Sequence, residues 1–254
     1  MTKIILSGCN GHMGQVIARL ASTDESVKIV LGCDINTQMK NSFSAIAQAA
    51  DGGGFADAAD AVIDFSHPSN FENVVSYCKR TKTPLVMATT GLSDEQKAEL
   101  VSLSESVAVF FSANMSLGVN LLVSLAKKAA EILGDSFDIE IIEKHHNQKI
   151  DAPSGTALMI ADELSESLSE TPKYVYDRHS VRRKRSKNEI GIHSVRGGTI
   201  VGEHDVIFAG TDEIVEIRHT AMSKEIFAAG SLKAAKFISG KKAGMYDMAD
   251  IVKE

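Results

Sequence analysis

Cysteine is scarce in this sequence: three residues, Cys9, Cys33 and Cys78, occur among 254. They are too few and too scattered for a disulfide framework, and no two of them stand at the spacing of zinc ligands. The four histidines of the C-terminal half outside residues 143–157 show no paired metal-ligand spacing either. We therefore expect a protein of a reducing compartment, the cytoplasm, with no bound metal.

Long apolar runs are also absent. No run approaches the length of a membrane span, and glycine interrupts the N-terminal apolar stretch after residue 7, which is typical of a first strand and not of a signal peptide. The net charge of −6 argues mildly against nonspecific nucleic-acid binding. Because 44% of the residues are hydrophobic, the chain can bury a real core. The composition therefore predicts a soluble globular protein without membrane or nucleic-acid partners.

Short β-branched runs alternate with helical stretches over the first 112 or so residues: KIILS, VKIVLGC, AVIDFS, PLVMATT and VAVFFSA. This alternation is typical of βαβ units and predicts an α/β, Rossmann-like domain whose parallel sheet is covered by helices on both faces. Such sheets bind ligands at the carboxyl ends of their strands. Glycine, serine, threonine and asparagine are frequent at those ends here, so we expect a nucleotide site along that edge.

The pattern changes after residue 114. A helix is predicted over about 117–133, an alternating strand over 137–145 and another helix over about 155–168, followed by strand-like runs at 189–195, 199–210 and 213–222. Glycines at 197–198 and at 210 predict hairpins that pair the last three runs antiparallel. We therefore predict a dinucleotide-binding domain of residues 1–114, to which a helical tail at 224–254 returns. A C-terminal α+β domain of residues 115–223, with a mixed, largely antiparallel sheet, completes the chain.

A glycine-rich turn follows the first strand, with Gly8, Gly11 and Gly14 opening a helix. Glycine suits a tight turn, a close approach of backbone N–H groups to a pyrophosphate and tight packing of the helix on the sheet. Asp34 ends the second strand twenty residues after Gly14, where an acid accepts hydrogen bonds from the adenosine ribose and repels a 2′-phosphate. Asn10 stands where the usual motif has glycine, so a structural turn that binds nothing is the alternative.

A cationic cluster ends the strand of the second domain, in the segment EKHHNQKIDAPSGTA at residues 143–157. An extended chain would point His145 and Lys149 to one side and His146 elsewhere. Histidine transfers protons near neutral pH, and lysine binds a carboxylate or stabilises developing negative charge. These residues predict a proton donor beside an anionic substrate.

The same segment continues into a helix start. Pro153 fixes its φ angle near helical values, and Ser154, Gly155 and Thr156 supply hydroxyls and backbone N–H groups at the helix N-terminus, which is an anion site. A small substrate with two carboxylates would be bound by the two halves of the segment. The alternative is a surface loop with a capped helix and solvated charges.

These motifs resemble those of the 4-hydroxy-tetrahydrodipicolinate reductase (dihydrodipicolinate reductase) family over essentially the whole chain. Besides GCNGHMG and EKHHNQKIDAPSGTA, the matching segments are ATTG at 88–91, SANMSLGVN at 112–120 and HSVRGGTIVGEH at 193–204. The resemblance implies NAD(P)H-dependent reduction of a cyclic dicarboxylate in the diaminopimelate route to lysine, with hydride passing from nicotinamide C4 to substrate C4. It also implies a homotetramer built through the sheet of the second domain.

The resemblance further implies roles for individual residues. His145 is the proton donor or acceptor and Lys149 a second proton donor that also binds the substrate, together with His146, Gly155 and Thr156. The dinucleotide is contacted by residues at four strand ends: Gly8, Cys9, Asn10, Gly11, His12, Met13, Asp34, Ala88, Thr89, Thr90, Ser112, Ala113, Asn114 and Met115. The polar connection at 35–59 is shorter than in some members, which leaves the preference between NADH and NADPH open. Asp34, with no arginine beside it, favours ready use of NADH.

Two other readings of the sequence deserve comparison. The basic run at 178–187 is compatible with a regulator that binds nucleic acid, but it has no interleaved aromatic residues and no adjacent recognition helix, so a solvated loop is favoured. Semialdehyde dehydrogenases share a two-domain layout but need a cysteine nucleophile in the second domain, and no cysteine follows Cys78. Cys9 lies in the glycine turn, where packing is the favoured role.

Overall fold

The computed structural model describes residues 1–36, 44–46 and 59–253. Most of the connection at 35–59, including its glycine-rich part, lies outside the described residues. The chain forms two compact units, one of Met1–Ser116 with Glu225–Glu254 and the other of Leu117–Lys224. No helix in the described part of the chain is long and apolar enough to cross a membrane.

The first unit contains a sheet of seven described strands, all paired in parallel. The strand order is β12-β6-β5-β4-β1-β2-β3, so the connection reverses direction between β1 and β4, where sheets of this kind bind their ligands. This confirms the predicted Rossmann-like sheet. The strands are β1 (Thr2–Ser7), β2 (Val27–Asp34), β3 (Ser44–Ile46), β4 (Ala61–Asp64), β5 (Leu85–Met87), β6 (Ala108–Phe111) and β12 (Gly244–Tyr246).

Helices cover this sheet because its central strands are apolar on both faces. Ile4, Leu6 and Ile63 are fully buried on one face, and Ile5 and Val62 are 5% and 2% exposed on the other, as expected for a parallel sheet between two helical layers. Helix α6 (Glu225–Ile238) packs against β4 and β5 and thereby brings the C-terminal segment into the first unit. The helices are α1 (His12–Ala21), α2 (Phe71–Thr81), α3 (Asp94–Ser104), α6 (Glu225–Ile238) and α7 (Met248–Lys253).

The second unit contains a mixed five-stranded sheet in the order β11-β10-β7-β9-β8. Strand β10 pairs antiparallel with both β11 and β7, whereas β9 pairs parallel with β7 and β8. The mixed sheet is as predicted, with two antiparallel and two parallel pairings in place of a largely antiparallel sheet. Its elements are α4 (Leu117–Leu133), a 3-10 turn (Gly134–Ser136), β7 (Asp138–His145), α5 (Gly155–Ser165), β8 (Lys173–Val175), β9 (Glu189–Arg196), β10 (Gly202–Ala209) and β11 (Ile214–Ala221).

The predicted hairpin at residues 197–198 is wrong. Strand β7 lies between β9 and β10, so the connection crosses the end of β7 instead of turning back on itself. The Gly197 N–H donates to the carbonyl of His145 at 2.9 Å, and the Asn147 N–H donates to the carbonyl of Gly198 at 3.2 Å. The second predicted hairpin is confirmed, since β10 and β11 pair antiparallel on either side of residues 210–213.

One face of this sheet carries the apolar core of the second unit. Alternation along β7 places Ile139 and Ile141 in a buried cluster with residues of α4 and α5. Glu143 and His145 follow on the same face at the carboxyl end of the strand. The core therefore gives way to charged and titratable side chains at one end of the sheet.

Candidate active site

The glycine turn after β1 is built so that two of its glycines cannot be replaced without movement of the backbone. Gly8 has a φ of 79°, and a Cβ there would lie 2.4 Å from the carbonyl oxygen of Phe65. A Cβ on Gly14 would lie 2.1 Å from the carbonyl oxygen of Gly8. Gly8 therefore lies too close to the backbone that follows β4 to carry a side chain, and Gly14, in the first turn of α1, lies too close to the glycine turn itself.

Helix α1 begins at His12, immediately after this turn. Its N-cap, Gly11, provides no side-chain hydrogen bond, and no acidic residue lies in the first turn. The first N–H groups of a helix have no partner within the helix, and the helix dipole favours negative charge there. This helix start can hold a pyrophosphate through the N–H groups around His12 and Met13.

Asp34 binds the glycine turn through its carboxylate. The Asn10 N–H donates to one oxygen at 2.8 Å and the Asn36 N–H to the other at 2.8 Å. Cys9, fully buried, and Gly8 both donate their N–H groups to the carbonyl of Cys33, the residue before this acid. A carboxylate has about four acceptor sites, so Asp34 can hold the turn and still accept hydrogen bonds from a ribose.

A buried acid that the sequence did not indicate holds the strand end after β5. The Thr89 hydroxyl donates to Asp64 Oδ2 at 2.6 Å, and the Ser66 hydroxyl donates to Oδ1 at 2.6 Å. Asp64 is 1% exposed. Ala88 and Thr89 are buried and Thr90 is exposed, so Asp64 fixes the backbone from which Thr90 projects.

The strand end after β6 is fixed by hydrogen bonds of its own. The Ser116 N–H donates to Asn114 Oδ1 at 2.8 Å, and the Ser112 hydroxyl donates to the carbonyl of Asn114 at 3.1 Å. Asn114 and Met115 are buried, and Ala113 is exposed. All predicted dinucleotide contacts thus lie at carboxyl ends of strands of the first unit.

His145 forms a hydrogen-bonded pair with a buried carboxylate in the second unit. Its Nδ1 lies 2.6 Å from Glu143 Oε2, and Glu143 is fully buried. Arg196 donates to both oxygens of Glu143, at 2.8 and 2.7 Å. Burial by itself raises the pKa of Glu143, but the hydrogen bonds from Arg196 and His145 outweigh it and bring that pKa to about 2. Glu143 is therefore ionised, and His145 Nδ1 is the donor.

A second buried histidine lies beside this pair. The rings of His204 and His145 stand edge to face with centroids 5.3 Å apart. Burial, followed by the charge of His145, lowers the pKa of His204 to about 4. His204 is therefore neutral near pH 7 and leaves His145 as the titratable ring of the pair.

Ser154 lies beneath the site and uses its polar groups within the protein. Its hydroxyl accepts from the Ala157 N–H at 3.2 Å and caps α5, and it lies 3.3 Å from His204 Nε2. Its N–H donates to Glu143 at 3.0 Å. Since Ser154 is 2% exposed, its part in the predicted anion site is to start the helix and to connect it to Glu143.

Lys149 binds the carboxylate of Asp151, which lies in the segment that leads into α5. Lys149 Nζ lies 2.8 Å from Asp151 Oδ1. The side chain of Lys149 and the backbone N–H of Gly155 both lower the pKa of Asp151. The chain turns after β7, where the Lys149 N–H donates to the carbonyl of His146 at 3.1 Å. This turn brings the predicted lysine to the carboxylate that precedes the predicted helix start.

Sequence reasoning missed Arg196, His204 and Asp151 as parts of the cluster. Arg196 and His204 belong to the segment HSVRGGTIVGEH, and the pairing of β9 and β10 with β7 places both beside Glu143 and His145. The period of two along these strands is the signal that relates them, but it identifies the shared face only when the strand order is known.

A Rossmann-like unit with a glycine turn, joined in one chain to a unit bearing a histidine–carboxylate pair and a carboxylate-binding lysine, defines a nicotinamide-dinucleotide-dependent oxidoreductase. Family models described as "Dihydrodipicolinate reductase, N-terminus" and "Dihydrodipicolinate reductase, C-terminus" match residues 2–115 and 118–252. The chain belongs to the dihydrodipicolinate reductase family.

Curated relatives agree with this assignment, and a solved structure shares the fold. A 4-hydroxy-tetrahydrodipicolinate reductase of Caldanaerobacter subterraneus is 50% identical, over 100% of this chain and 99% of the relative. That of Clostridium tetani is 47% identical, over 98% and 96%. The fold is shared with a dipicolinate-bound dihydrodipicolinate reductase from Paenisporosarcina sp. TG-14, with a TM-score of 0.82, 23% identity and 99% of both chains covered. The family assignment replaces the regulator and semialdehyde dehydrogenase alternatives.

Proposed function

We propose that this protein reduces 4-hydroxy-tetrahydrodipicolinate to tetrahydrodipicolinate in the diaminopimelate route of lysine biosynthesis. One NADH or NADPH and one proton are consumed, and oxidised dinucleotide and water are released. The observation that carries the proposal is the contact of Lys149 Nζ with a carboxylate, that of Asp151, at 2.8 Å, close in sequence to the His145–Glu143 pair and to the start of α5. A dicarboxylate substrate that takes up a proton needs these two features.

The residues of the first unit fit a nicotinamide dinucleotide. The turn at Gly8 and the start of α1 suit the pyrophosphate, and Asp34 suits the adenosine ribose. When bound, the reduced dinucleotide supplies the hydride. The charge of Asp34 disfavours a 2′-phosphate, so NADH is accepted well. The strand ends at 88–90 and 112–115 complete the site on this unit.

The second unit binds the substrate and supplies protons. A substrate carboxylate takes the place of the Asp151 carboxylate on Lys149 and on the N–H groups of Gly155 and Thr156, and His146 contacts the substrate. His145 donates a proton from Nε2, and Lys149 is the second donor.

The protein acts as a cytoplasmic homotetramer assembled through the sheet of the second unit. Support comes from the sheet face opposite α4 and α5, which exposes Ile214 and Val195 by 65% and 44%. Sedimentation velocity tests this assembly, and a monomer at micromolar concentration would contradict it.

The decisive experiment follows oxidation of NADH and of NADPH with freshly generated product of the dihydrodipicolinate synthase reaction. The same mixture without the synthase is the control. Turnover that depends on the synthase is expected with NADH. The absence of turnover with either dinucleotide would overturn the proposal.

Variants of the second unit separate the two roles. His145→Gln and Lys149→Ala should lower kcat at least a hundredfold, since each removes a proton donor. Dinucleotide affinity measured by calorimetry should stay within about twofold, because neither residue belongs to the unit that carries the glycine turn. A parallel loss of dinucleotide affinity would contradict this division of roles.

A further inference from the structure

Glu143 has the surroundings of a group that holds a histidine and not of one that binds a ligand. It is fully buried, and its oxygens accept hydrogen bonds from His145 Nδ1, from both terminal nitrogens of Arg196 and from the Ser154 N–H. The carboxylate therefore has its acceptor sites occupied by the protein. It can act on a substrate only through the His145 ring.

Arg196 comes from the neighbouring strand, where it is the register partner of His145. Besides binding both oxygens of Glu143, it donates to the carbonyl of Asp151 at 2.6 Å. A bidentate guanidinium holds a carboxylate in one plane and keeps it ionised. An ionised Glu143 accepts a hydrogen bond from Nδ1 and leaves Nε2 as the ring nitrogen that the pair does not use.

Strand β10 leaves space at that second nitrogen. Gly202 pairs across from the end of β7, and a Cβ built on it would lie 3.1 Å from His145 Nε2. The φ of Gly202 is not in the left-handed region, so what distinguishes glycine at this position is the space that it leaves and not its backbone conformation. This observation is independent of the Glu143 contacts and points to the same atom.

We propose that Glu143, held by Arg196, is a positioning residue that fixes His145 in the tautomer protonated at Nδ1 and so makes Nε2 the proton-transfer atom. The proposal rests on the proposed function, in which His145 donates a proton to the substrate. Proton transfer then occurs at Nε2: the imidazolium, protonated on both nitrogens, loses its Nε2 proton to the substrate and returns to the neutral tautomer that Glu143 stabilises.

The charges around His145 predict opposite effects for the two partners of the pair. Glu143 stabilises the protonated ring, whereas Arg196 and Lys149 destabilise it. Removal of the Glu143 charge should therefore move the titration of His145 to lower pH, and removal of the Arg196 charge should move it to higher pH. The titratable or charged groups that act on His145 or its immediate partners from the surrounding elements are Glu143, Lys149, Asp151, Arg196, His204, Asp205 and His219.

The test compares pH profiles of kcat for wild type, Glu143→Gln, Glu143→Asp and Arg196→Met. A proton donor gives a profile that falls on the alkaline side. In Glu143→Gln this limb should move to lower pH by about one unit or more, and kcat at pH 7.5 should fall at least tenfold with KM within about threefold. In Arg196→Met the alkaline limb should move to higher pH. In Glu143→Asp, which keeps the carboxylate, the limb should lie closer to its wild-type position than in Glu143→Gln. Limbs that stay in place in both charge-removing variants would overturn the proposal.

A measurement on the wild-type protein keeps the test independent of activity and of folding of the Glu143 and Arg196 variants. NMR of protein labelled with ¹⁵N-histidine distinguishes the two neutral tautomers, and the His145 signals are assigned by their loss in His145→Gln. Protonated Nδ1 and bare Nε2 are expected. The opposite tautomer would overturn the positioning role of Glu143 even if the enzyme turns over fully. The expected tautomer in a protein that does not turn over would support the positioning role and contradict the proposed function.

Discussion

The missing side chain at Gly202 is the smallest feature on which the proposed chemistry depends. Gly202→Ala should lower kcat about tenfold, on the order of 1.4 kcal/mol of barrier, because the new methyl group crowds His145 Nε2 at 3.1 Å. Gly197→Ala is the matched control, since a Cβ there meets no atom within 4 Å. Steady-state kinetics of the two variants provides the measurement. Equal kcat values would show that Nε2 does not need this space.

Asp34 combines a structural and a selective role at the level of one residue. Asp34→Asn should lower the NADH-to-NADPH ratio of kcat/KM about tenfold, because the charge that repels a 2′-phosphate is lost together with an acceptor for the ribose. The control is Asp60→Asn, whose carboxylate accepts the Lys3 N–H at 2.7 Å elsewhere in the same unit. Kinetics with both dinucleotides measures the ratio, and a ratio equal to that of Asp60→Asn would remove Asp34 from selectivity.

At the level of elements, local sequence patterns predict those strands and turns whose formation depends mainly on residues close together in the chain. The apolar runs of β1, β2 and β4–β6 and the glycine turn before α1 have strong local signals. Strands β3 and β12, of three residues each, have none. The hairpin at 197–198 was wrong because strand pairing is decided by packing of the whole sheet, in which β7 takes the central place.

The same limit applies to the candidate site. His145 and Lys149 could be proposed from one segment, since they lie within five residues of each other. Arg196 lies 53 residues from Glu143 in sequence, and Gly202 lies farther still. Their roles follow from strand register, which no single-segment pattern contains.

The basic run at 178–187 uses part of its charge within the protein. Arg185 bonds to Asp138 and Glu140 and to the carbonyls of Ile139 and Glu189. Arg178, Arg183 and Arg185 therefore tie the connection between β8 and β9 to the sheet of the second unit.

Substitution within this run should therefore change stability unevenly. Arg185→Met should lower the free energy of unfolding in urea by about 2–3 kcal/mol, because it leaves partly buried acceptors without a donor. The control is the exposed Arg182, for which the described part of the chain offers no partner. Arg182→Met should change the free energy of unfolding by less than about 0.5 kcal/mol. Equal effects, or salt-sensitive DNA binding lost in both variants, would support a nucleic-acid role instead.

For the whole molecule, buried carboxylates and buried histidines should make the free energy of unfolding depend on pH in two separate acidic ranges. Burial raises the pKa of Glu143 and of Glu189, but arginine partners outweigh it and bring each to about 2, below the ordinary value of 4.5. Their contribution is present above pH 4.5 and is lost as pH falls toward 2. Between pH 4.5 and 6.5 these carboxylates should therefore contribute little to the change of the free energy of unfolding with pH, and the histidines should contribute most of it.

His204 should set much of that slope. Its pKa is about 4 in the folded protein against 6.5 as the ordinary value, because burial disfavours the charged ring. As pH falls, His204 is protonated in the unfolded chain before it is protonated in the folded protein. Its contribution to the free energy of unfolding is therefore complete above pH 6.5 and falls by roughly 3 kcal/mol as pH is lowered toward 4. Burial also lowers the pKa of His145 and His219, which adds to the loss with the same sign.

Urea unfolding at several pH values between 4.5 and 7.5 measures this effect in wild type and in His204→Gln. Substrate and dinucleotide must be left out, since a bound ligand stabilises the folded state by mass action. The wild-type free energy of unfolding should fall with decreasing pH, and the variant should show a clearly smaller slope because its side chain cannot titrate. If the slopes are the same, protonation of the unfolded chain at His204 is not what destabilises the protein in mild acid. A smaller slope in the variant would mean that the neutral histidine beside His145 is maintained at the expense of stability below pH 6.5.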